Sequence, residues 1–289
     1  KWDESLVRLS LYRPFEKKFL YFDSVLNERR YQMPHIFPTS ATESETRAIV
    51  ISDIAFRADV FTALVTAIIP DLHLCAAVDA HQCFPFYFYN EDGSNRRENI
   101  TDWALEKFRT KYKVKKLTKR DIFYYVYGIL HHPGYREKFA DNLKRELPRV
   151  PLAKAFESFS AAGKNLAKLH LDYEKLKPWP LKWLENKDTP LSYRVEKMKL
   201  SKDKQSLWVN DSLTLAGIPP EVFEYRFGNR SALEWVIDQY QVSEDQRSGN
   251  TSDPNRADDP EYIVNLVGQV VRVSVETVKL VKALPKSYT

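Results

Sequence analysis

Residues 121–152 read DIFYYVYGILHHPGYREKFADNLKRELPRVPL, and their order predicts two helices around a fixed joint. Asp121 is placed to cap a first helix in which Ile122, Val126, Ile129 and Leu130 recur at helical spacing, ringed by the aromatic surface of Tyr124, Tyr125 and Tyr127. His131 and His132 close that helix, and Pro133-Gly134 forms the joint. A second helix starts near Tyr135, carries Arg136, Lys138, Lys144 and Arg145, and stops where Pro148 and Pro151 forbid continuation.

Upstream of this pair the pattern is that of strands. Residues 8–13 and 18–22 alternate, 27–38 reads as a basic loop, and 47–52, 60–66, 72–78 and 84–89 are rich in Val, Ile, Phe and Tyr between turn residues. Thr101 or Asp102 opens a helix over 103–112, and apolar residues at helical spacing predict another over 153–176. Residues 175–190 read as a connection pinned by Trp179 and Trp183. Beyond it, 193–200, 206–210, 212–216 and 222–227 read as short strands, 231–240 as a helix, 243–259 as a loop and 261–284 as a long closing helix. The fold class is therefore α+β: a mixed or antiparallel sheet first, a helical middle, and a small mixed C-terminal part. The corresponding divisions are 1–100, 101–178 and 179–289, parts of one composite domain.

Composition narrows the function classes. The 289 residues carry a net charge of +5, which permits a polyanionic partner without demanding one. Sixteen prolines against eight glycines describe a well-packed globular chain rather than a low-complexity one. Two cysteines are too few for a disulfide framework, and no apolar run approaches the roughly 18 residues of a membrane span, so a cytoplasmic, non-membrane location is expected.

Catalytic motifs are weak. The Gly163-Lys164 pair is followed by Asn165 inside a helical pattern and forms no phosphate loop. Asp253-Pro254-Asn255 lacks the second proline and aromatic of an amino-methyltransferase turn and reads as an ordinary turn, and Glu16-Lys17-Lys18 has no upstream carboxylate to complete a nuclease centre. His131-His132 ends a helix, where imidazoles meet the last carbonyls, and no nucleophile accompanies it. His73, Cys75, His81 and Cys83 form two His-x-Cys pairs that adjacent strands would point at one zinc, although their apolar neighbours also suit plain core strands, the reading preferred here.

Several blocks resemble one family. Residues 121–152 are similar to the "YxYxxLHxPxYR…PRIP" run of the C-terminal specificity, or target-recognition, domain of type ISP single-chain restriction-modification enzymes, related to those of type IIG enzymes. Tyr12-Arg13-Pro14-Phe15 with Tyr21-Phe22-Asp23, residues 84–90 (FPFYFYN), residues 163–174 (GKNLAKLHLDYE), Gly217-Ile218-Pro219 and residues 228–240 (GNRSALEWVIDQY) resemble further blocks of that family in order, with Glu16 standing where Asp is expected. The resemblance implies a non-catalytic chain that reads a short double-stranded DNA sequence. An adenine methyltransferase and a translocating, helicase-like nuclease would lie upstream in the same polypeptide. S-adenosylmethionine, ATP and Mg would belong to those upstream domains, with no cofactor in this chain.

Phosphate and base-edge contacts need Arg, Lys, Asn or Gln on accessible loops. Arg13, Lys17, Arg29, Arg30, Tyr31, Asn95, Arg96, Arg97, Asn99, Lys115, Lys116, Arg226, Asn229 and Arg230 meet that description, with the arginine pairs 29/30 and 96/97 foremost. Two other readings stay open: a coupling module whose aromatic helices pack on an upstream domain, and an independent metal-dependent hydrolase using His73, His81 or His131.

Overall fold

A computed structural model describes residues 2–54, 56–57, 60–74 and 80–288. Two compact units emerge: Lys1–Arg13, Lys17–Leu171 and Leu280–Thr289 form the first, and Pro14–Glu16 with Asp172–Lys279 the second. The strand-rich and helical stretches on either side of residue 100 share the first unit, and the unit boundary falls at residue 171. The class is α+β, as the residue patterns indicate.

In the first unit, strand Val7–Arg13 lies between Glu16–Tyr21 and Ile69–Pro70, the latter pairing in parallel through Ser10 and Ile69. A second sheet places Ala48–Ser52 between Ala63–Thr66 and His81–Pro85, both antiparallel. All five residues of the central strand are buried, so its sequence AIVIS is continuous rather than alternating. Residues 72–74 form a turn instead of starting a strand, and 75–79 lie outside the described residues.

Helix Lys119–Leu130 packs on helix Phe156–Leu171 at unusually short range. Gly128 and Gly163 make this possible. A Cβ at Gly163 would stand 1.8 Å from the Tyr124 carbonyl oxygen, and one at Gly128 would stand 2.3 Å from that of Phe159.

The first of these helices starts three residues earlier than expected. Thr118 is the N-cap, and Asp121 is the third helical residue of a capping box, its carboxylate accepting from the Thr118 amide at 2.9 Å. Tyr125 and Tyr127 are completely buried rather than forming surface, because their hydroxyls have backbone partners. Tyr125 accepts from the Ala153 amide at 2.8 Å and donates to the Pro151 carbonyl at 2.5 Å. Tyr135 donates to the Arg149 carbonyl at 3.1 Å, and Tyr112 to that of Ala153 at 2.7 Å. The proline-bearing run 148–153 cannot build a regular ladder. Tyrosines at fixed spacing supply its partners, which explains why aromatic and proline positions recur together in this block. The second helix is broken into Pro133–Lys138 and Ala140–Leu143 at Phe139, whose backbone leaves the helical region. His132 caps the first piece, its Nδ1 accepting from the Tyr135 amide at 3.1 Å.

In the second unit, a four-stranded antiparallel sheet runs Lys199–Leu200, Ser206–Asn210, Leu213–Ala216, Lys182–Glu185. Residues 182–185 are thus an edge strand within the stretch read as a connection. Residues 220–224 form a 3-10 turn, leaving only Arg226–Phe227 as a strand, and the 243–259 loop contains a small hairpin, Ser243–Glu244 with Thr251–Ser252. Helix Ala232–Gln239 has a Ser231/Glu234 capping box. Phe15, at φ +64 and fully buried, lies 5.0 Å from the Tyr173 ring and 5.9 Å from that of Phe227, so the Arg-Pro-Phe block serves packing. Helix Tyr262–Lys282 buries a stripe that includes Ile263, Leu266, Val267, Val270 and Val271.

Candidate nucleic-acid interface

A cationic surface of the first unit comes from helix Asp102–Tyr112 and the turn after it. Thr101 caps the helix through the Ala104 amide at 3.2 Å, and Lys113 in the left-handed region ends it. Lys107, Lys111, Lys113, Lys115 and Lys116 are exposed. Cations gather easily at a helix C-terminus, where the partial negative charge of free carbonyls offsets their repulsion. Arg109 is tied inward, donating to the Leu117 carbonyl at 3.0 Å and pairing with Glu106 at 2.9 Å. Trp103 stands 71 % exposed, with the Lys107 ammonium 4.8 Å from its ring centre.

Lys119 links this surface to a hairpin. Its ammonium lies 2.7 Å from Asp102 and 3.1 Å from Glu98. The hairpin pairs Tyr87–Phe88 with Arg97–Glu98 in antiparallel register. Its turn is held by the Asn90 amide donating to the Ser94 carbonyl and the Ser94 amide to the Asp92 carboxylate, each at 2.9 Å, with Asn95 at φ +53. Arg97 lies over the Phe88 ring at 4.3 Å and Arg96 over Tyr87 at 4.7 Å, while Arg96 also pairs with Glu45. Arg120 donates to the Tyr87 hydroxyl at 3.1 Å and covers the Phe86 ring at 4.8 Å. A guanidinium held over an aromatic ring has its rotamers restricted. The local carboxylates Glu45, Glu98 and Asp102 neutralise part of the charge, so the lysine strip is the stronger anion-facing element.

Of the residues singled out from the sequence, Asn95, Arg96, Arg97, Asn99, Lys115 and Lys116 are exposed on this hairpin and turn. Asn99 also edges a mostly apolar cavity of about 300 Å³ lined by Ile49, Phe84, Phe123, Val126 and Leu147 among others. Arg13 is held elsewhere, paired with Asp71 at 2.7 Å and lying over Tyr12. Lys17 lies in strand Glu16–Tyr21, and Arg29, Arg30 and Tyr31 lie on the following loop. In the second unit, Arg226 donates to the Asn229 carbonyl and Arg230 pairs with Asp238 at 2.8 Å, which ties these two arginines into the local turn and helix.

Residue-by-residue scanning missed Trp103, Lys107 and Arg120. The i, i+4 spacing of Trp103 and Lys107 on a capped helix was the available signal.

The other candidate chemistries have structural partners. The thiol of the half-buried Cys83 is pushed up to about 12 by desolvation, and His81 Nδ1 lies 3.0 Å from the Leu72 carbonyl, its pKa lowered by burial. Cys75 lies outside the described residues, and among those described no group of three His, Cys, Asp or Glu side chains gathers as metal ligands. Asn255 exchanges hydrogen bonds with the Val195 backbone, its side chain accepting and donating at 2.8 Å, and Asp253 pairs with Arg194 at 2.9 Å, so the Asp-Pro-Asn turn pins a neighbouring segment. Arg136 donates to the Leu130 carbonyl at 2.5 Å and so stabilises the helix joint. No helix among the described residues is long and apolar enough to cross a membrane.

A family model, the Type ISP C-terminal specificity domain, matches residues 1–266. The chain belongs to this family. Solved structures agree. The specificity domain is 36 % identical over 99 % of its length, with a TM-score of 0.85, to a nuclease-deletion mutant of the Type ISP restriction-modification enzyme LlaGI in complex with a DNA substrate mimic. It is 38 % identical over 100 % of its length to DrdV in a DNA complex, and 33 % identical over 99 % to the ATP-dependent Type ISP restriction-modification enzyme LlaBIII bound to DNA, each with a TM-score of 0.88. It spans only 25 %, 29 % and 19 % of those three chains, respectively. No curated protein sequence matches it.

Proposed function

We propose that this specificity domain recognises a short sequence in double-stranded DNA and holds the duplex for catalytic domains of a longer cytoplasmic polypeptide. Those domains would be an adenine methyltransferase using S-adenosylmethionine and a translocating nuclease using ATP and Mg. The observation that carries the reading is full-length similarity to segments of three enzymes solved with DNA. The site geometry fits. Exposed lysines on the 107–116 strip suit phosphates, which fix register and orientation, and the stiff 90–99 hairpin offers Asn95, Arg96 and Arg97 to base edges. Holding the duplex rigidly also assists an enzyme that must extrude its target base.

The aromatic-helix coupling reading loses its main support because Tyr125 and Tyr127 are buried. A metal-dependent hydrolase reading has no support among the described residues, where no three His, Cys, Asp or Glu side chains gather as metal ligands and His131 Nε2 meets no hydrogen-bond partner.

Salt titration of duplex binding tests the proposal. Each neutralised phosphate contributes about −0.9 to the slope of log K against log salt. Substitution of Lys113, Lys115 and Lys116 by alanine is expected to flatten that slope by about 2 to 3, with unchanged thermal unfolding. An unaltered slope removes the strip from the interface.

A further inference from the structure

We propose that the tip of the loop following strand Glu16–Tyr21 is an apolar wedge that inserts between base pairs of bound duplex DNA. This inference rests on the DNA-recognition reading above. Val25 is 85 % and Leu26 71 % exposed, adjacent residues at the apex of the loop. Their exposure is not that of a loose segment. The Val25 amide donates to the Asp23 carboxylate at 2.7 Å, and the Asn27 amide to the Asp23 carbonyl at 2.9 Å. The Asn27 side-chain amide closes the base of the loop on the Tyr21 and Asp23 carbonyls at 2.6 and 3.1 Å. The backbone therefore holds two branched aliphatic side chains in water in a defined direction, and burying them against a partner releases that ordered water.

Charge favours DNA as that partner. Arg29, 76 % exposed, follows the tip with its Nε 4.0 Å from the exposed Glu28 carboxylate, and Arg30 lies over the buried Phe22 ring at 5.3 Å, so two cations and one carboxylate stand beside the apolar pair. Protein-docking cores are depleted in charged residues. An aliphatic wedge flanked by arginines is instead the arrangement with which proteins unstack a base step while gripping the phosphates on either side. Tyr31, also exposed and held at φ +46, ends the loop with an aromatic face beside the same cations.

The test replaces both wedge residues, Val25→Ser with Leu26→Ser. Their exposure makes unfolding an improbable confounder, and thermal melting of the variant controls for it. The probe is the duplex that the unmodified chain enriches from a random pool, read by binding affinity and by permanganate and diethyl pyrocarbonate reactivity of unstacked bases. The unmodified chain is expected to make one step hyperreactive. The variant is expected to bind about tenfold to a hundredfold more weakly and to lose that hyperreactivity, while its salt slope stays the same because the cations remain. Equal affinity, or a wild-type footprint with no hyperreactive step, overturns the wedge and leaves DNA recognition standing. Variant-specific loss of association with a methyltransferase-bearing partner at unchanged DNA affinity assigns the tip to a protein surface and also overturns it. Failure of the unmodified chain to bind any duplex removes the recognition reading itself, and the wedge with it.

Discussion

Gly163→Ala is expected to destabilise the first unit by about 4 kcal/mol or more. Two effects oppose each other. Alanine gains about 1 kcal/mol over glycine in a helix interior, which alone stabilises the Phe156–Leu171 helix. Against this, the new methyl would stand 1.8 Å from the Tyr124 carbonyl oxygen, which belongs to the backbone of a facing helix and cannot rotate aside. The helices must separate, and the separation propagates to Tyr125, Phe156 and Phe159, whose rings pack between them. A total stability of about 5–15 kcal/mol for an ordinary domain leaves little after such a loss. Amide hydrogen exchange over the two helices and urea unfolding check it, with exposed Lys164→Ala as a control expected within about 0.5 kcal/mol. Gly163→Ala protein with a wild-type urea midpoint contradicts the close helix crossing.

The second large effect is on acid stability. His170 and His131 are completely buried, and burial lowers His170 from 6.5 to about 3 and His131 well below 6.5. Tyr127 explains their arrangement. Its hydroxyl accepts from the Val65 amide at 3.1 Å and so directs its proton to His170 Nδ1 at 2.6 Å. His131 Nδ1 donates to the Tyr127 carbonyl at 2.8 Å, leaving a buried Nε2 with no hydrogen-bond partner among the described residues. A second proton on His131 would create a charge with no acceptor among the described residues, beside Arg136.

Because both folded values lie below the unfolded one, the unfolded chain binds more protons as pH drops through 6.5. Stability is full above that pH and falls steadily beneath it, at about 1.4 kcal/mol per pH unit per imidazole. Between pH 6.5 and 5 His170 removes about 2 kcal/mol, and His131 acts in the same direction, before exposed carboxylates such as Asp92 and Asp253, whose values are lowered by hydrogen bonds, begin to titrate. Urea unfolding across this window measures the slope. His170→Gln, whose amide oxygen still accepts from the Tyr127 hydroxyl, is expected to reduce it by the His170 share, about 1.4 kcal/mol per pH unit, and a flat profile in the wild-type chain contradicts the account.

These two effects show where sequence reading reaches and where it stops. Helical periodicity located the 119–130 and 156–171 helices because burial of one face is written in local spacing. It misjudged Tyr125 and Tyr127, since a tyrosine is surface or core according to whether its hydroxyl finds a partner, and those partners lie at residues 65 and 151–153. Aromatic and proline positions in the 121–152 block were legible as a joint. The reason for them, hydroxyls supplying the backbone of a proline run, is a tertiary fact.

Loop arginines divided the same way. Composition marks Arg13, Arg226 and Arg230 as readily as Arg97, but only the fold pairs Arg13 with Asp71, Arg230 with Asp238 and Arg226 with a backbone carbonyl. Arg120 gave no sequence signal, because its position over Phe86 and beside Tyr87 depends on a hairpin more than thirty residues away in sequence.

The central claim is that sequence recognition resides in this chain. Selection of duplexes from a random pool by the purified 289 residues, followed by sequencing, tests it most directly. The account predicts enrichment of one short asymmetric motif whose binding survives salt that removes bulk DNA. Enrichment of no motif, with affinity set by duplex length and salt alone, would contradict it.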